Sequence, residues 1–533
     1  MSLQACATLP DAERKMAVPH AQQVEFEGAQ GPVSAAKSDA ILDRFEGKDG
    51  ASNVLQKHLV YEQAVNADSP LVLGNKLTLL QNGPATYQAM FAAIRGARDH
   101  INLETYIFDD DEAGRQFSDL LLERQAAGVQ VNVIYDSVGG ILTPQTFFDR
   151  LRDSGIRVLE FNPVNPLAGN KKGWLLNNRD HRRQLIVDGR IAFTGGINIS
   201  DSYSSAPSGK RTRKKRDQAP AATSGWRDTH IRIEGPVVAE FQKLYLDTWA
   251  RQKGEPLAAK NYFPELKAQG DEIVRVIGST PDPPQSLIYL TLMSAIGQAE
   301  VEVHLTIAYF APDPQLLKAL TEAARRGVDV KLLLPSYSDS WAIFNLGRSY
   351  YTELLQGGVK IYERRGAVMH AKTACIDGVW STIGSTNLDW RSFLHNDEIN
   401  AVILGRGFAV QMEAMFAKDL SESDQIILAK WQTRSLMLRI KERMARIGAY
   451  WLWPGHTVYR LLRTRARRLR RLRPAYVCQR TARCASIAII EATIDNGRSA
   501  TGSSVRRGLT TINEVECRSG RQLPRRAATP TVA

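Results

Sequence analysis

Apolar and polar positions along this chain run through the same order of periods twice. From Ala93-Ile94 to Gly128-Val129-Gln130-Val131-Asn132-Val133 the pattern predicts a helix end, a strand ending at Tyr106-Ile107-Phe108, a helix and a second strand. From Ala295-Ile296 to Gly327-Val328-Asp329-Val330-Lys331-Leu332 it predicts the same order, with the first strand ending at Tyr309-Phe310. Each block continues with a helix closed by glycine, Phe147 to Gly155 and Tyr351 to Gly358, and then a further strand. Strands alternating with helices of about ten to fifteen residues predict an α/β sheet in each repeat. The expected architecture is α/β: two tandem repeats, mixed sheets flanked by helices, related by a pseudo-two-fold.

Both repeats end in the same short apolar run, Gln184-Leu-Ile-Val187 and Thr373-Ala-Cys-Ile376, followed by Asp188-Gly189 and Asp377-Gly378. Asp-Gly between apolar runs predicts a tight hairpin, hence a strand, a turn and a returning strand in each copy. The polar residues around these hairpins also repeat. His181-x-Arg183-x4-Asp188-Gly-x5-Gly195-Gly196-x-Asn198 matches His370-x-Lys372-x4-Asp377-Gly-x5-Gly384-Ser385-x-Asn387. Alternation along a strand puts His181 and Arg183 on one face, and His370 and Lys372 on one face. Each returning strand ends near Asn198 or Asn387.

An imidazole beside a fixed cation and an amide suits phosphoryl transfer without a metal or other cofactor. The cation and the amide hold non-bridging oxygens and stabilise transition-state charge. One neutral imidazole attacks phosphorus to give a covalent phosphohistidine, and a second, protonated imidazole donates to the leaving oxygen. Each half holds one histidine, so the two halves must meet in one shared site. Asp188 and Asp377 join the candidate set, although Asp-Gly is equally a structural turn pair. His100 and His304 read as satisfied core residues.

At these residues the chain resembles the phospholipase D superfamily, over roughly 75–430. Gly195-Gly196-Ile-Asn198-Ile, Trp226-Arg-Asp228-Thr-His-Ile-Arg-Ile-Glu-Gly-Pro236 and Asn387-Leu-Asp389-Trp-Arg391-Ser392 with Asn396-x-Glu398 resemble its bacterial cardiolipin synthase branch. The resemblance implies two phospholipase D-like repeats, with His181 as nucleophile and His370 as acid and then base. It also implies that Asp228 and Glu398 orient the two imidazoles. The activity implied is phosphatidyl transfer that joins two phospholipids and releases glycerol, with phosphatidylglycerol as donor and acceptor and phosphatidylethanolamine as a partner in one subgroup. The alternatives are a phosphodiester hydrolase acting on lipid or nucleic acid, and a lipid-binding homologue weakened at Arg183. The fused pair of motifs argues against a nucleic acid partner. Arg183 stands where the signature has Lys; its planar fork is not equivalent to an ammonium at a tight site, which predicts reduced turnover.

Charge divides the chain. Residues 430–533 hold 23 Lys/Arg against 5 Asp/Glu, a net +18 out of +13 for the whole, so residues 1–429 are net −5. Leu436, Ile440, Ile447 and Trp451 fall on one helical face beside Arg439, Lys441, Arg443 and Arg446, and seven arginines lie between Arg463 and Arg473. This predicts a basic amphipathic contact, over 431–473, with an anionic membrane surface. The other expected divisions are an extension at 1–75, repeats at 76–255 and 256–430, a basic loop at 204–225 inside the first repeat, and a disordered tail at 474–533. No run reaches the roughly eighteen apolar residues of a membrane span, so peripheral association with a bacterial cell membrane is expected. Leu3-Gln4-Ala5-Cys6 resembles a lipoprotein box without a signal peptide before it. The five cysteines show no metal or disulfide spacing.

Overall fold

The alternating pattern folds into two mixed sheets that share a seven-strand core in the same strand order, with Ser423–Ile426 added antiparallel at the edge of the second. The computed structural model describes residues 9–12, 24–45, 52–66, 69–164, 177–207, 225–281 and 286–452. The Cys6 box, most of the basic loop and everything after Leu452, including the arginine run and the tail, lie outside the described residues.

In the first repeat the strands are β1 (Leu71–Gln81), β2 (His100–Thr105), β3 (Gln130–Asp136), β4 (Arg157–Phe161), β5 (Gln184–Val187), β6 (Ile191–Gly195) and β7 (Thr229–Glu234). They lie in the order β1-β7-β6-β5-β2-β3-β4, parallel only across β2-β3-β4. The second repeat has β8 (Glu272–Ser279), β9 (Glu302–Ile307), β10 (Asp329–Pro335), β11 (Lys360–Arg364), β12 (Lys372–Ile376), β13 (Trp380–Gly384) and β14 (Asn396–Leu404). Its order, β8-β14-β13-β12-β9-β10-β11, repeats the first with the same parallel pairs. The parallel strands are connected by helices, Glu112–Ala126 in the first repeat and Pro314–Arg325 in the second, as a parallel crossover requires. Asp111 and Asp313 cap the N-termini of these two helices with their carboxylates.

The two repeats meet at several places, among them a parallel pairing of Arg179–Asp180 with the start of β14. β1 pairs antiparallel with β8, Asn75 opposite Glu272 and Val72 opposite Val274. Ile186, Ile231 and Ile233 from one sheet and Val274, Ile383 and Ile399 from the other form one apolar cluster. Each repeat also has its own core on its outer, helix-covered side. No helix among the described residues is long and apolar enough to cross a membrane.

Residues before the first repeat differ from the expectation of an extension. Phe26–Gly28 pairs in parallel with the start of β1. Helix Ser52–Val65 packs on the second repeat through buried Leu55 and Leu59, and its Glu62 accepts from Trp380 Nε1 at 2.8 Å. Apolar spacing at 55 and 59, with polar partners for the buried His58 and Glu62, makes this segment part of the body.

Candidate active site

Both predicted hairpins form, and each turn has two left-handed residues: Asp188 at φ 53° with Gly189 at 63°, and Asp377 at 54° with Gly378 at 61°. Two positive φ values in succession are what a type I′ turn demands, and Asp-Gly meets that demand at low cost. The turn aspartates are occupied there. Asp188 accepts from the amides of Arg98 (2.9 Å), Asp99 (2.8 Å) and His100 (3.0 Å). Asp377 accepts from Glu300 (3.1 Å), Val301 (2.7 Å) and Glu302 (3.1 Å), and faces His58 Nε2 at 3.0 Å. Each carboxylate ties the hairpin turn to the entrance of β2 or β9, at the end of the strand away from the histidine. The candidate site therefore loses Asp188 and Asp377: seven residues of extended chain separate each from its histidine, about 23 Å.

All of the other eight residues named from the sequence are buried, and seven of them, all but Asn387, are joined by hydrogen bonds or by mutual charge. The regular strands begin only at Gln184 and Lys372, so each histidine precedes its strand. The reason lies across the interface. His181 donates its backbone N–H to Asp397 O at 2.9 Å, and His370 donates its own to Arg227 O at 2.8 Å. Each histidine is thus pinned to the residue preceding the other repeat's carboxylate.

The side chains follow the same exchange. His181 Nδ1 lies 3.0 Å from both carboxylate oxygens of Glu398, and His370 Nδ1 lies 2.7 Å from Asp228 Oδ2. Glu398 also accepts from Ser385 Oγ and, at 3.1 Å, from Asn396 Nδ2. Asp228 accepts from the Thr229 amide at 2.7 Å. A carboxylate on one ring nitrogen fixes the tautomer and leaves the other nitrogen for chemistry. Gly196 is small because Asp228 abuts it: a Cβ there would stand 2.3 Å from Asp228 Oδ1. At the matching position of the second repeat Ser385 reaches the longer Glu398.

The two cations differ in detail. Lys372 Nζ lies 3.0 and 2.9 Å from the two ring nitrogens of His370 and donates to His370 O at 2.6 Å. Arg183 Nε donates to Asn198 Oδ1 at 2.9 Å, and Nη1 donates to His181 O. Arg183 lies over Tyr106 at 5.5 Å and Lys372 over Tyr309 at 5.9 Å. Both guanidinium and ammonium therefore grip the carbonyl of their own histidine, but only Lys372 reaches an imidazole nitrogen. Asn387 Oδ1 is buried with no hydrogen-bond partner among the described residues.

Burial and the neighbouring cations set the protonation. Burial, then Arg183 and Lys372, hold His181 well below its ordinary value, so it is neutral. Burial and Lys372 lower His370 to about 4 against the opposing pull of Asp228. Burial brings Lys372 down to about 7. Burial raises Glu398 to about 8, opposed by Ser385 and Arg183. Burial also acts to raise Asp228, but His370 and Lys372 outweigh it and hold the carboxylate below its ordinary value.

Several contributors were not singled out in the sequence. Tyr106 and Tyr309 occupy matching repeat positions, and that correspondence was the available signal. Tyr203 OH lies 3.2 Å from His370 Nδ1 and accepts from Asn198 Nδ2 at 3.1 Å; its counterpart five residues after Asn387 is Ser392, so the repeat hides it. Arg182 points away from the site and bonds Glu398 O (3.2 Å), Thr248 Oγ1 (2.6 Å) and Ser279 O (3.2 Å), locking the two repeats together. His100 and His304 are partnered, with Asp99 (2.9 Å) and Glu413 (2.7 Å). Cys375 is a free, buried core thiol.

A duplicated α/β fold with two such half-sites facing one another defines a protein of the phospholipase D superfamily. The family profile described as "Cardiolipin synthase, PLD-like domain" matches residues 90–206 and 292–420, one match in each repeat. A cardiolipin synthase of Geobacillus sp. (strain WCH70) is 35% identical over 382 residues, 71% of this chain and 73% of that protein. Cardiolipin synthase A of Pseudomonas putida is 34% identical over 384 residues, 71% of this chain and 75% of that one. Among solved structures, a phosphatidylserine synthase of Haemophilus influenzae shares the fold, with a TM-score of 0.55 at 13% identity, covering 75% of this chain and 98% of that one. The chain belongs to the cardiolipin synthase family, and is a cardiolipin synthase-like phosphatidyltransferase.

Proposed function

We propose that the enzyme joins two phosphatidylglycerol molecules into cardiolipin and releases glycerol, through a phosphohistidine on His181. The observation that carries this is the exchange of carboxylates: Glu398 on His181 and Asp228 on His370 leave two unlike imidazoles in one buried site. Neutral His181 attacks phosphorus through Nε2, and the P–O bond to the departing glycerol breaks. That oxygen takes a proton held by His370 and Lys372, which stand 2.9 Å apart. The hydroxyl of a second phosphatidylglycerol then gives its proton to His370 and attacks phosphorus, breaking the P–N bond. Arg183, Lys372, Asn198 and Asn387 bind the non-bridging oxygens and the charge that grows on them. Burial of all four, and of both histidines, favours a lipid hydroxyl over water as acceptor. Phosphatidylethanolamine is the second candidate lipid.

The enzyme works as a peripheral protein at the bacterial cell membrane, meeting its anionic surface through the basic segment 431–473. Incubation with phosphatidylglycerol, followed by separation of cardiolipin, phosphatidic acid and glycerol, tests the reaction. Cardiolipin and glycerol are expected from the wild type and neither from His181→Ala or His370→Ala. Phosphatidic acid as the main product would establish hydrolysis, and equal cardiolipin from all three proteins would overturn the mechanism.

A further inference from the structure

The last described helix, Leu436–Leu452, uses only a narrow edge to hold on to the body. Ala445 and Glu442 are buried, Ala445 against Ala311 and Leu346. Glu442 is neutralised by Arg434, with Nη2 at 2.6 Å. At 3.6 residues per turn, Leu436, Met437, Ile440, Met444 and Ile447 then fall within one arc of about 100°, turned away from that edge. Their exposures are 69%, 62%, 42%, 61% and 60%. Such a stripe on a short helix costs free energy in water unless another apolar medium covers it.

Cations border the stripe on both sides. Lys441 lies on one flank, and Arg439, Arg443 and Arg446 on the other. Those three arginines, the Arg434–Glu442 pair and Thr352 line a groove of about 360 Å³ between this helix and Tyr351–Gln356. Arg439 and Arg443 are one turn apart on the same face, and neither has an acidic partner among the described residues. Like charges at that spacing repel. Arg446 lies over the Tyr350 ring at 4.5 Å and only 3.7 Å from Glu353. A groove with unpaired guanidinium groups beside an exposed apolar stripe matches one kind of partner, an anionic phospholipid still in its bilayer, phosphate to arginine and acyl chain to stripe.

We propose that this groove is a second phospholipid site, distinct from the catalytic one, and that it seats helix Leu436–Leu452 in the interface of an anionic bilayer. The proposal deepens the membrane contact inferred above by naming its residues and lipid chemistry. Flotation of the full chain with vesicles tests it, using equal parts phosphatidylcholine and phosphatidylserine or phosphatidylcholine alone. The wild type should float with the anionic vesicles. Arg439→Ser/Arg443→Ser should lose the preference for them, by about fivefold per arginine. Ile440→Ser/Met444→Ser should bind both kinds of vesicle at least tenfold more weakly. Both variants should turn over dispersed short-chain phosphatidylglycerol at the wild-type rate, which shows that they are folded. The proposal is overturned if the wild type stays in solution or if both variants float as it does. It is also overturned if Ile440→Ser/Met444→Ser splits a dimer, since the stripe then belongs to a second copy. Flotation needs no turnover: a chain that floats in this pattern yet makes no cardiolipin supports the lipid site and refutes the catalytic reading.

Discussion

His181 takes its orienting carboxylate from Glu398, 217 residues away in the other repeat, with Nδ1 3.0 Å from both oxygens. His370 takes its own from Asp228 in the first repeat. Neither half-site is complete alone. Glu398→Gln should therefore impair the step at His181, and Asp228→Asn the step at His370. Rapid-quench trapping of the phosphoenzyme separates them: Glu398→Gln should slow its formation, whereas Asp228→Asn should also slow its breakdown by the acceptor. Losing a carboxylate that sets a catalytic tautomer costs about 10⁴-fold in a hydrolase triad, so losses of roughly 10²-fold or more are expected. Identical trapping kinetics in the two variants would refute the division of labour.

Glu398 also predicts a pH dependence. Its carboxyl is raised to about 8, so below that pH it carries a proton and accepts from His181 Nδ1–H more weakly than the carboxylate does. As pH rises through about 8 it ionises, and Nε2 of His181 becomes the free lone pair. The rate should therefore rise with pH as Glu398 ionises and fall as Lys372, at about 7, gives up the proton that the leaving oxygen takes, and Glu398→Gln should abolish the rising limb alone. A profile of kcat/KM against pH for both proteins checks this.

Arg183→Lys should raise turnover. Arg183 spends its donors on Asn198 Oδ1 and His181 O, while Lys372 in the second repeat reaches both nitrogens of its imidazole. Lysine at 183 would restore the second arrangement beside His181, the proposed nucleophile. A misplacement of about 1 Å costs about a hundredfold, so a gain of roughly tenfold in kcat is expected. An unchanged or lower kcat would show that the guanidinium already suits this site.

Asp188→Ala should act on stability and not on chemistry. It removes the acceptor of three backbone amides at the entrance of β2. A loss of about 1–3 kcal/mol is expected, read as a lower Tm, with kcat per folded molecule retained. A fall in kcat without a change in Tm would return Asp188 to the catalytic set.

Gly196→Ala should damage the acid half of the site. Its Cβ would meet Asp228 Oδ1 at 2.3 Å, and Asp228 holds His370. Overpacking of about 1–3 kcal/mol should accompany loss of cardiolipin synthesis, while Gly384→Ala, whose Cβ would meet Asn400 Oδ1 at 2.2 Å and Ile399 O at 2.4 Å, should lower Tm at least as much with less effect on rate.

How much of this was legible in the chain follows from the range of the interactions. The two repeats, the Asp-Gly hairpins and the His/cation/Asn sets are local, set by periodicity and by fixed offsets of under twenty residues, so the sequence alone determined them. It also determined that one copy carries arginine where the other carries lysine. The paired roles could not be read that way. Asp188 and Asp377 stand beside the histidines in the motif, yet strand extension carries them to the far end, where backbone amides claim them. Asp228 and Glu398 lie 142 and 217 residues from the histidines they serve, and only the crossing of the chain between the repeats decides which serves which. The same holds for the C-terminal helix, whose apolar and basic positions are written in the chain. Which of them face outward was decided by the packing of Glu442 and Ala445, since a helical pattern shows several faces and tertiary contact selects the one that is buried.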